Sequence, residues 1–355
     1  MMTIHRLTFK RPALTALIIV AVVSSIVSMN LHAAPGLTTN AQLGQILKVQ
    51  DESKLCDKSQ DKMSYSSGFL QSFSGLQQGE SGWLFRDHDL RTSFGPSKNN
   101  YKHLRALRVK LADRGVILVV VPIPSRSLVH PEYLGDIGFD KKAAQASYKR
   151  FLQRLRRSGI VVPELETLVT NEADKPMFFA RDHHWNHHGA RTIARLTAAS
   201  IRAQDSYADI ERTRFETSLM TTSHNDGSYT RAANLLCDSG FTSEPYKIYQ
   251  TAALNRDLFG DDSSTATPIS LVGTSNSKGK LRLNFSGFLS QYVKAEVLNL
   301  AESGGGYAKA MQSYLGSSDF RNNPPSFLVW EFPTYYNLND EAFFRGLLQS
   351  MGGES

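Results

Sequence analysis

A run of β-branched residues directly follows a helical pattern and restricts this chain to a narrow set of folds. Leu104, Leu107 and Leu111 recur at the spacing of one helix face. Gly115 ends that pattern, and the sequence VILVVVPIP (116–124) follows at once. A continuous apolar run of this length is typical of a strand that is buried on both faces of a parallel sheet. The order predicts an α/β protein in which helices cover the strands.

The same alternation of helix and strand recurs along the chain. A strand entering a turn is predicted at 79–94, an amphipathic helix at Lys141–Arg157, and a short strand at IVVPEL (160–165). In the last third we predict a strand then a loop (269–277), a helix (287–295), a strand (296–301), a glycine turn that opens a helix (304–315), a buried strand (326–333) and a closing helix (341–349). This succession predicts a three-layer α/β/α sandwich with a mainly parallel sheet.

Residues 205–267 interrupt the alternation. They are polar, show few clean periods and contain one of the two cysteines. We therefore interpret them as an insertion or lid within one catalytic domain at 63–350, with a lead-in segment at 35–62 and a tail at 351–355. A chain of 355 residues, 41% of them hydrophobic, is long enough to bury the core that such a domain needs.

The first 34 residues predict export. A basic segment ends at Arg11, the run 13–29 (ALTALIIVAVVSSIVSM) is apolar, and Ala33 or Ala34 precedes a candidate cleavage point. An uncleaved membrane anchor is the alternative, because 17 apolar residues are at the lower limit for spanning a bilayer. With either reading we expect the body of the protein in the periplasm, released after cleavage or attached by an inner-membrane anchor.

The net charge gives no support to a nucleic-acid partner. The chain carries +7, and Arg6, Lys10 and Arg11 of the export segment supply three of these charges, which leaves +4. No basic stripe with interleaved aromatic residues is present in the sequence. A mildly basic groove for an acidic polymer remains open.

Export makes the two cysteines informative. In an oxidising compartment Cys56 and Cys237 are the only intrachain pair available. A bridge would close a loop of about 180 residues and stabilise the fold by roughly 5 kcal/mol in the chain-entropy model. Two unrelated buried thiols are the alternative reading. A zinc site is disfavoured because no CxxC pair is present.

Four of the ten histidines are crowded into the stretch ARDHHWNHHGA. Asp182 and His184 lie two positions apart, so the carboxylate can bind the imidazole Nδ1 from the same loop and leave Nε2 free for a nucleophile. The pairs His183/His187 and His184/His188 would suit a metal on a helix, but no glutamate lies between them and no third ligand is evident nearby. A metal site and a plain surface turn are the alternatives to the acid–base reading.

Ser275 is the candidate nucleophile. It follows a buried strand through Gly273 and Thr274, and open α/β sheets have their sites at the carboxyl ends of strands. Glycine permits a sharp turn, and the backbone N–H groups that follow can stabilise an oxyanion. An ordinary strand-to-helix turn with a capping serine is the alternative. Since the second glycine of a G-x-S-x-G elbow is missing, an α/β-hydrolase is disfavoured.

Taken in order, the motifs resemble the AlgX/AlgJ family of exopolysaccharide O-acetyltransferases over about residues 50–350. The motifs are GWLF (82–85), VVVPIPSRS (119–127), DHHW (182–185), VGTSNS (272–277), GGG (304–306) and VWEFP (329–333). The resemblance implies an SGNH hydrolase-like fold with permuted motif order, in which Asp-x-His precedes the serine. It also supports a bridge between Cys56 and Cys237.

The family likeness implies a role for each site residue. Ser275 would be the nucleophile, His184 the general base and Asp182 its orienting partner. Backbone N–H groups of Ser275, Asn276 and Gly305 are candidates for the oxyanion. Apart from the likeness, Arg126, Trp185 and Tyr335 are candidate substrate contacts, with a solvated charge and a loop aromatic as the alternatives for Arg126 and Tyr335. No metal or cofactor is expected. His183 stands where the family usually has threonine, so we treat it, with His187 and His188, as a bystander.

The activity implied by the resemblance is ping-pong transfer of an acetyl group to a sugar hydroxyl. Because acetyl-CoA is not expected outside the cytoplasm, it also implies a membrane-bound O-acyltransferase partner that exports the acetyl group, beside other polysaccharide synthesis and secretion proteins. The sequence ends at Ser355, which leaves no room for the C-terminal carbohydrate-binding module of AlgX. AlgJ-like proteins, or those that acetylate cellulose, are therefore the expected architecture, and alginate and cellulose both remain candidate polymers. A secreted acetyl esterase and a non-catalytic polymer-binding protein are the alternative functions.

Overall fold

The structure is a computed structural model that describes residues 54–171, 174–254, 267–279, 283–336 and 338–351. These residues belong to one unit that runs from Gln50 to Ser355. The predicted export segment, most of the lead-in and residues 352–355 of the tail lie outside the described residues. None of the helices in the described ranges is long and apolar enough to cross a membrane.

A four-stranded parallel sheet lies at the centre of the fold. In chain order the strands of the described residues are β1 (Gln77–Gln78), β2 (Leu84–Phe85), β3 (Ile117–Ile123), β4 (Phe215–Asn225), β5 (Glu244–Ala253), β6 (Ile269–Val272), β7 (Val297–Asn299) and β8 (Phe327–Pro333). The central order is β3–β8–β6–β7, and every pairing in it is parallel. β8 lies between β3 and β6, and all seven of its residues are buried, as expected for a strand in a sheet that is covered on both faces.

Helices cover this sheet. They are α1 (Asp57–Gln60), α2 (Gly68–Gln71), α3 (Tyr101–Ala112), α4 (Arg126–Val129), α5 (Lys141–Arg157), α6 (Thr167–Thr170), α7 (His187–Arg202), α8 (Ser228–Cys237), α9 (Ser275–Lys278), α10 (Phe285–Val293), α11 (Lys309–Leu315), α12 (Ser318–Asn322) and α13 (Glu341–Ser350). Short 3-10 helices occur at 62–64, 80–82, 98–100, 131–133 and 205–208. One group packs α3 against α13 and β3, and another packs α7 against α10 and β3. The predicted α/β/α architecture is confirmed.

Most of the predicted elements are present, with two corrections. The strand predicted at 160–165 is wrong, since this segment forms only an isolated parallel bridge between Val119 and Val161. Pro163 has no N–H to extend the ladder, and the N–H of Leu165 donates to the carbonyl of Pro163 in a turn. The loop predicted through residue 277 is short, because a helical turn already begins at Ser275.

The segment predicted as an insertion has a structure of its own. β4 and β5 form an antiparallel ribbon that is separate from the central sheet, and α8 lies between them in the chain. The ribbon packs on α10. Residues 255–266 of the segment lie outside the described residues. Its function as a lid remains a prediction.

The predicted bridge between the two cysteines is confirmed. A disulfide joins Cys56, just before α1, to Cys237, at the end of α8. Around it lies a small apolar cluster, separate from the main core, that includes Tyr65, Phe73 and Tyr229. The bridge therefore fastens the first described segment to the helix whose N-terminus, at Ser228, lies at the candidate site.

Candidate active site

His184 lies between the other two predicted site residues. The loop before α7 carries Asp182 and His184, and the turn after β6 presents Ser275 at the carboxyl end of that strand. The hydroxyl of Ser275 lies 2.9 Å from His184 Nε2, and His184 Nδ1 lies 2.6 Å from Asp182 Oδ1. Residues ninety-one positions apart in the chain thus form one continuous hydrogen-bonded row.

The carboxylate of Asp182 is held on both oxygens. Oδ1 accepts the backbone N–H of His184 at 2.8 Å as well as its ring N–H, and Oδ2 accepts the backbone N–H of Ser228 at 2.7 Å. Asp182 is only 3% exposed. Burial alone raises its pKa, but the charge and hydrogen bonds of His184 and the nearby His183 outweigh burial and lower the pKa well below the usual range. The carboxylate is therefore ionised and fixes the His184 tautomer with its proton on Nδ1.

Two predicted substrate contacts lie beneath the site instead of on its surface. Arg126 is 1% exposed, and its guanidinium donates to the carbonyls of Asp182 and Ala180. Trp185 is completely buried and donates from its backbone N–H and its indole N–H to Asn276. Both side chains join the loop at 180–185 to its surroundings, so their prediction as substrate contacts is corrected to a supporting role.

A buried glutamate holds the turn that carries Ser275. Glu331, in the middle of β8, is fully buried. It accepts the N–H of Thr274 at 2.9 Å, the Thr274 hydroxyl at 2.9 Å and the Ser277 hydroxyl at 2.8 Å. Burial raises the pKa of Glu331, and these hydrogen bonds oppose that rise. A Cβ on Gly273 would lie 2.5 Å from Glu331 Oε2, which explains why glycine occupies this position.

The predicted oxyanion donors are not equivalent. The backbone N–H of Asn276 donates to Thr274 Oγ1 at 3.3 Å and caps the turn, so its role as an oxyanion donor remains a prediction. The N–H of Ser275 has no hydrogen-bond partner among the described residues and stays a candidate. Gly304 and Gly306 line the adjacent cavity with φ values of +77° and +58°, a backbone conformation that favours glycine. Gly305 lies between them and its role remains a prediction.

A cavity of about 510 Å³ opens beside Ser275. Aromatic and histidine side chains form much of its wall, including Phe69, His88, His183, Tyr307, Tyr335 and Tyr336. Tyr335 is part of this wall, and its ring stacks on that of His88 with centroids 5.9 Å apart. Its contact with substrate remains a prediction. A cavity of this size and mixed polarity is typical of a site for a small ligand or a segment of a polymer.

Two arginines add positive charge to this cavity. Arg86 is 2% exposed, lies over the Tyr335 ring at 4.8 Å, and has two guanidinium nitrogens, Nε and Nη2, without a hydrogen-bond partner in the described residues. Arg91 donates to the backbone carbonyl of Tyr335 at 2.6 Å. Burial and these two cations lower the pKa of His88 to about 4, so at neutral pH the arginines carry the charge.

The i, i+4 histidine pairs of the alternative metal reading are not arranged as that reading requires. α7 begins at His187, with Asn186 as its N-cap, so His183 and His184 precede the helix and the i, i+4 pairs do not share a helical face. Asp182, His183 and His184 do bring ligand atoms within 4.8 Å of one another. Both oxygens of Asp182 already accept N–H groups, so the donor set as arranged fits acid–base chemistry better than metal binding.

Sequence reasoning missed several residues that form this site. Ser228 and Glu244, from the insertion, fix the loop at 180–184: Ser228 binds Asp182, and Glu244 accepts the N–H groups of Ala180 and Arg181. No sequence signal connects them to that loop. Glu331 had a signal, because a lone carboxylate in an otherwise apolar strand is buried only when it is well hydrogen-bonded.

With this geometry in place, comparison with known proteins defines the class of the chain. The family described as "SGNH hydrolase-like domain, acetyltransferase AlgX" matches residues 76–334. The chain belongs to this AlgX family and has its SGNH hydrolase-like fold.

Individual relatives agree with this assignment. The alginate biosynthesis protein AlgX of Pseudomonas aeruginosa is 36% identical over 299 residues, which cover 82% of this chain and 62% of AlgX. The probable alginate O-acetylase AlgJ of the same organism is 32% identical over 284 residues, covering 74% of this chain and 70% of AlgJ. A solved structure of Pseudomonas aeruginosa AlgX matches with a TM-score of 0.75 and 33% identity over 84% of this chain and 71% of that one. In the sequence comparison, the chain spans 62% of the length of Pseudomonas aeruginosa AlgX, less than two thirds.

Proposed function

We propose that this protein is an O-acetyltransferase that acetylates a hydroxyl group of an exopolysaccharide. The observation that supports it most strongly is the row Asp182–His184–Ser275, with contacts of 2.6 and 2.9 Å, at a cavity of about 510 Å³. Membership of the AlgX family and similarity to a probable alginate O-acetylase agree with this chemistry. We call Ser275, His184 and Asp182 the proposed triad.

The first half of the reaction loads the serine. Ser275 Oγ bonds to the carbonyl carbon of an acetyl donor while His184 Nε2 takes the proton of the Ser275 hydroxyl. The carbonyl oxygen becomes an oxyanion, which the backbone N–H of Ser275 would stabilise. His184 then returns the proton to the leaving group of the donor, and acetyl-Ser275 remains. Asp182 stabilises the imidazolium that forms in between.

The second half unloads the serine onto a sugar. His184 removes the proton of an acceptor hydroxyl, whose oxygen attacks the acetyl carbonyl carbon. The bond to Ser275 Oγ breaks, and the proton goes from His184 to that oxygen. The products are an acetylated sugar and free Ser275, so the cycle needs no metal and no redox partner.

The cavity favours an acidic acceptor. Arg86 and Arg91 line it with two positive charges against one carboxylate, Asp340. Because Arg86 is buried and its Nε pairs with Asp89 Oδ1 at 3.8 Å, we expect Arg91 to meet a carboxylate of the acceptor. The relatives are named for alginate, which agrees with a uronate polymer. We therefore propose an acidic polysaccharide over a neutral glucan such as cellulose.

The wider setting is proposed with the activity. Residues 63–350 would form the catalytic domain, exported to the periplasm by residues 1–34. A membrane-bound O-acyltransferase would supply the acetyl group, and other polysaccharide synthesis and secretion proteins would act beside it. Secreted acetyl esterase is the competing function, since the same proposed triad serves when water replaces the sugar.

One assay separates transfer from hydrolysis. Purified protein is incubated with an activated acetyl ester, with and without mannuronate oligosaccharides, and the products are separated by mass spectrometry. Transfer predicts acetylated oligosaccharide that disappears in Ser275→Ala. Ester hydrolysis that is unaffected by the oligosaccharide would indicate an esterase, and no turnover in either case would indicate a binding protein.

A further inference from the structure

His183 is a second histidine in the wall of the cavity that holds Ser275, and the mechanism above gives it no role. Its side chain is 12% exposed. On one side its ring lies against that of His184, with centroids 3.8 Å apart. On the other side it packs against the ring of Phe73, with ring centroids 5.3 Å apart. His183 is therefore held between packed rings, with one edge open to the cavity.

Ser228 fixes the tautomer of His183. The Ser228 hydroxyl oxygen accepts the backbone N–H of His183 at 3.3 Å and lies 2.7 Å from His183 Nδ1. Because Ser228 is 1% exposed, its hydroxyl proton needs a partner within the protein. Its acceptor among the described contacts is His183 Nδ1. Asp182 Oδ1 also lies 3.5 Å from Nδ1, but that oxygen already accepts two N–H groups of His184, so the hydroxyl at 2.7 Å is the closer partner. With Nδ1 accepting, the proton of a neutral imidazole lies on Nε2.

Nε2 is the ring nitrogen that remains for a ligand. In the described part of the chain it has no hydrogen-bond partner, while Nδ1 is occupied by Ser228. Burial lowers the pKa of His183 well below its usual value, and positive charge on His184 lowers it further. A neutral ring lies beside His184 without opposing the proton that His184 carries during the reaction.

The surroundings of His183 suit a sugar. Phe69, 58% exposed, lies on the same cavity wall and packs edge-on against Phe73, with ring centroids 5.0 Å apart. Sugar rings present C–H faces that pack on aromatic side chains, and oxygens around their edges that accept hydrogen bonds. A neutral N–H beside an aromatic surface matches both features.

We propose that His183 is a specificity-determining residue whose Nε2–H donates a hydrogen bond to an oxygen of the acceptor sugar. This inference rests on the proposed function and deepens it. Because His184 alone deprotonates Ser275, His183 acts on the second half of the reaction. Its removal should weaken transfer to the sugar and leave formation of acetyl-Ser275 intact.

Three substitutions test this role. His183→Phe keeps a ring beside His184 and removes both nitrogens. His183→Asn keeps a polar partner for Ser228 but is too short to replace Nε2–H. His183→Gln restores an N–H donor at a similar reach. His103→Phe is the matched control, because His103 stacks on Phe344 and does not line the cavity. The burst of an activated acetyl ester reports acylation, and mass spectrometry reports transfer to mannuronate oligosaccharides.

The expected result is a split between the two steps. Acylation in all variants should stay within about twofold of the wild type. The kcat/KM for transfer should fall about five- to tenfold in His183→Phe and His183→Asn, as expected for one neutral hydrogen bond. His183→Gln should recover most of that loss, and His103→Phe should match the wild type. The Phe and Asn variants carry the same prediction, so a folding defect in one leaves the other decisive.

Three results would overturn the proposal. Transfer unchanged in His183→Phe would show that the sugar does not use this donor. Acylation and transfer falling together would assign His183 to the support of His184. His183→Gln performing as poorly as His183→Phe would exclude a hydrogen-bond donor. If wild-type protein forms no acetyl-Ser275 at all, the proposed function itself is contradicted and the role of His183 falls with it.

Discussion

Replacing Asp182 with asparagine tests how His184 is held. Three N–H groups point at this carboxylate: the ring Nδ1–H of His184 at 2.6 Å, the backbone N–H of His184 at 2.8 Å and the backbone N–H of Ser228 at 2.7 Å. Asparagine has one oxygen and one NH2 group where aspartate has two oxygens. In either orientation its NH2 group faces a backbone N–H, so about 1–3 kcal/mol of folding stability should be lost.

Catalysis should suffer more than stability. When the NH2 group of the asparagine faces His184, the ring accepts through Nδ1, its proton moves to Nε2, and the ring cannot accept the proton of Ser275. In the opposite orientation the tautomer survives, but the charge that stabilises the imidazolium is missing. The same change in a Ser-His-Asp protease costs about 10⁴-fold in kcat. We expect a fall of about 10³- to 10⁴-fold here.

The assay is the burst of an activated acetyl ester followed by stopped flow. Asp140→Asn is the matched control, because Asp140 caps α5 through an exposed side chain and asparagine caps equally well. The control should keep wild-type acylation. Circular dichroism and thermal melting confirm that Asp182→Asn is folded. Folded Asp182→Asn with acylation within tenfold of the wild type would refute the orienting role of Asp182.

Four further measurements test other contacts in the structure. Because the pKa of Asp182 is lower in the folded protein, its contribution to stability is complete above about pH 3.9 and is lost on further acidification. In urea titrations from about pH 5 down to about pH 2, the free energy of unfolding should therefore fall more steeply for the wild type than for Asp182→Asn. Gly273→Ala would place a Cβ 2.5 Å from Glu331 Oε2, so unfolding free energy should fall by about 1–3 kcal/mol and acylation at least about tenfold; unchanged values would contradict the account of Glu331. Replacing both Cys56 and Cys237 with serine should lower the free energy of unfolding by about 3–5 kcal/mol in urea titrations. A wild-type protein whose urea midpoint is the same with and without reductant would contradict this. Arg91→Gln should raise KM for mannuronate oligomers about threefold or more at low salt and spare glucose oligomers, whereas an equal effect on both would argue against an acidic acceptor.

The fold was predictable because its strands and helices have strong local patterns. Residues 116–124 are apolar throughout and 327–333 are apolar apart from Glu331, and a sheet covered on both faces buries such runs. The segment 160–165 was mispredicted because its apolar composition suggests a strand, while Pro163 removes the N–H that the ladder needs. The pattern of apolar residues along a segment does not reveal that one backbone N–H donor is missing.

The site was predictable only where its geometry is local. Asp182 and His184 are two residues apart on one loop, so their contact follows from spacing. Ser275 follows a buried strand, so its place at the sheet edge follows from topology. Ser228 binds Asp182 from an irregular segment that has no sequence link to it. Arg126 was predicted as a substrate contact, yet it is buried beneath the Trp83 ring and donates to two backbone carbonyls that lie far from it in the chain.

The position of the acetyl group on the enzyme tests the central claim most directly. Wild-type protein, Ser275→Ala and His184→Ala are exposed briefly to an activated acetyl ester, quenched in acid, digested and mapped by mass spectrometry. We predict one acetyl group on Ser275 in the wild type, none there in either variant, and loss of that group when mannuronate oligosaccharide is added before the quench. An acetyl group found elsewhere with equal occupancy in all three proteins, and none on Ser275, would contradict the account.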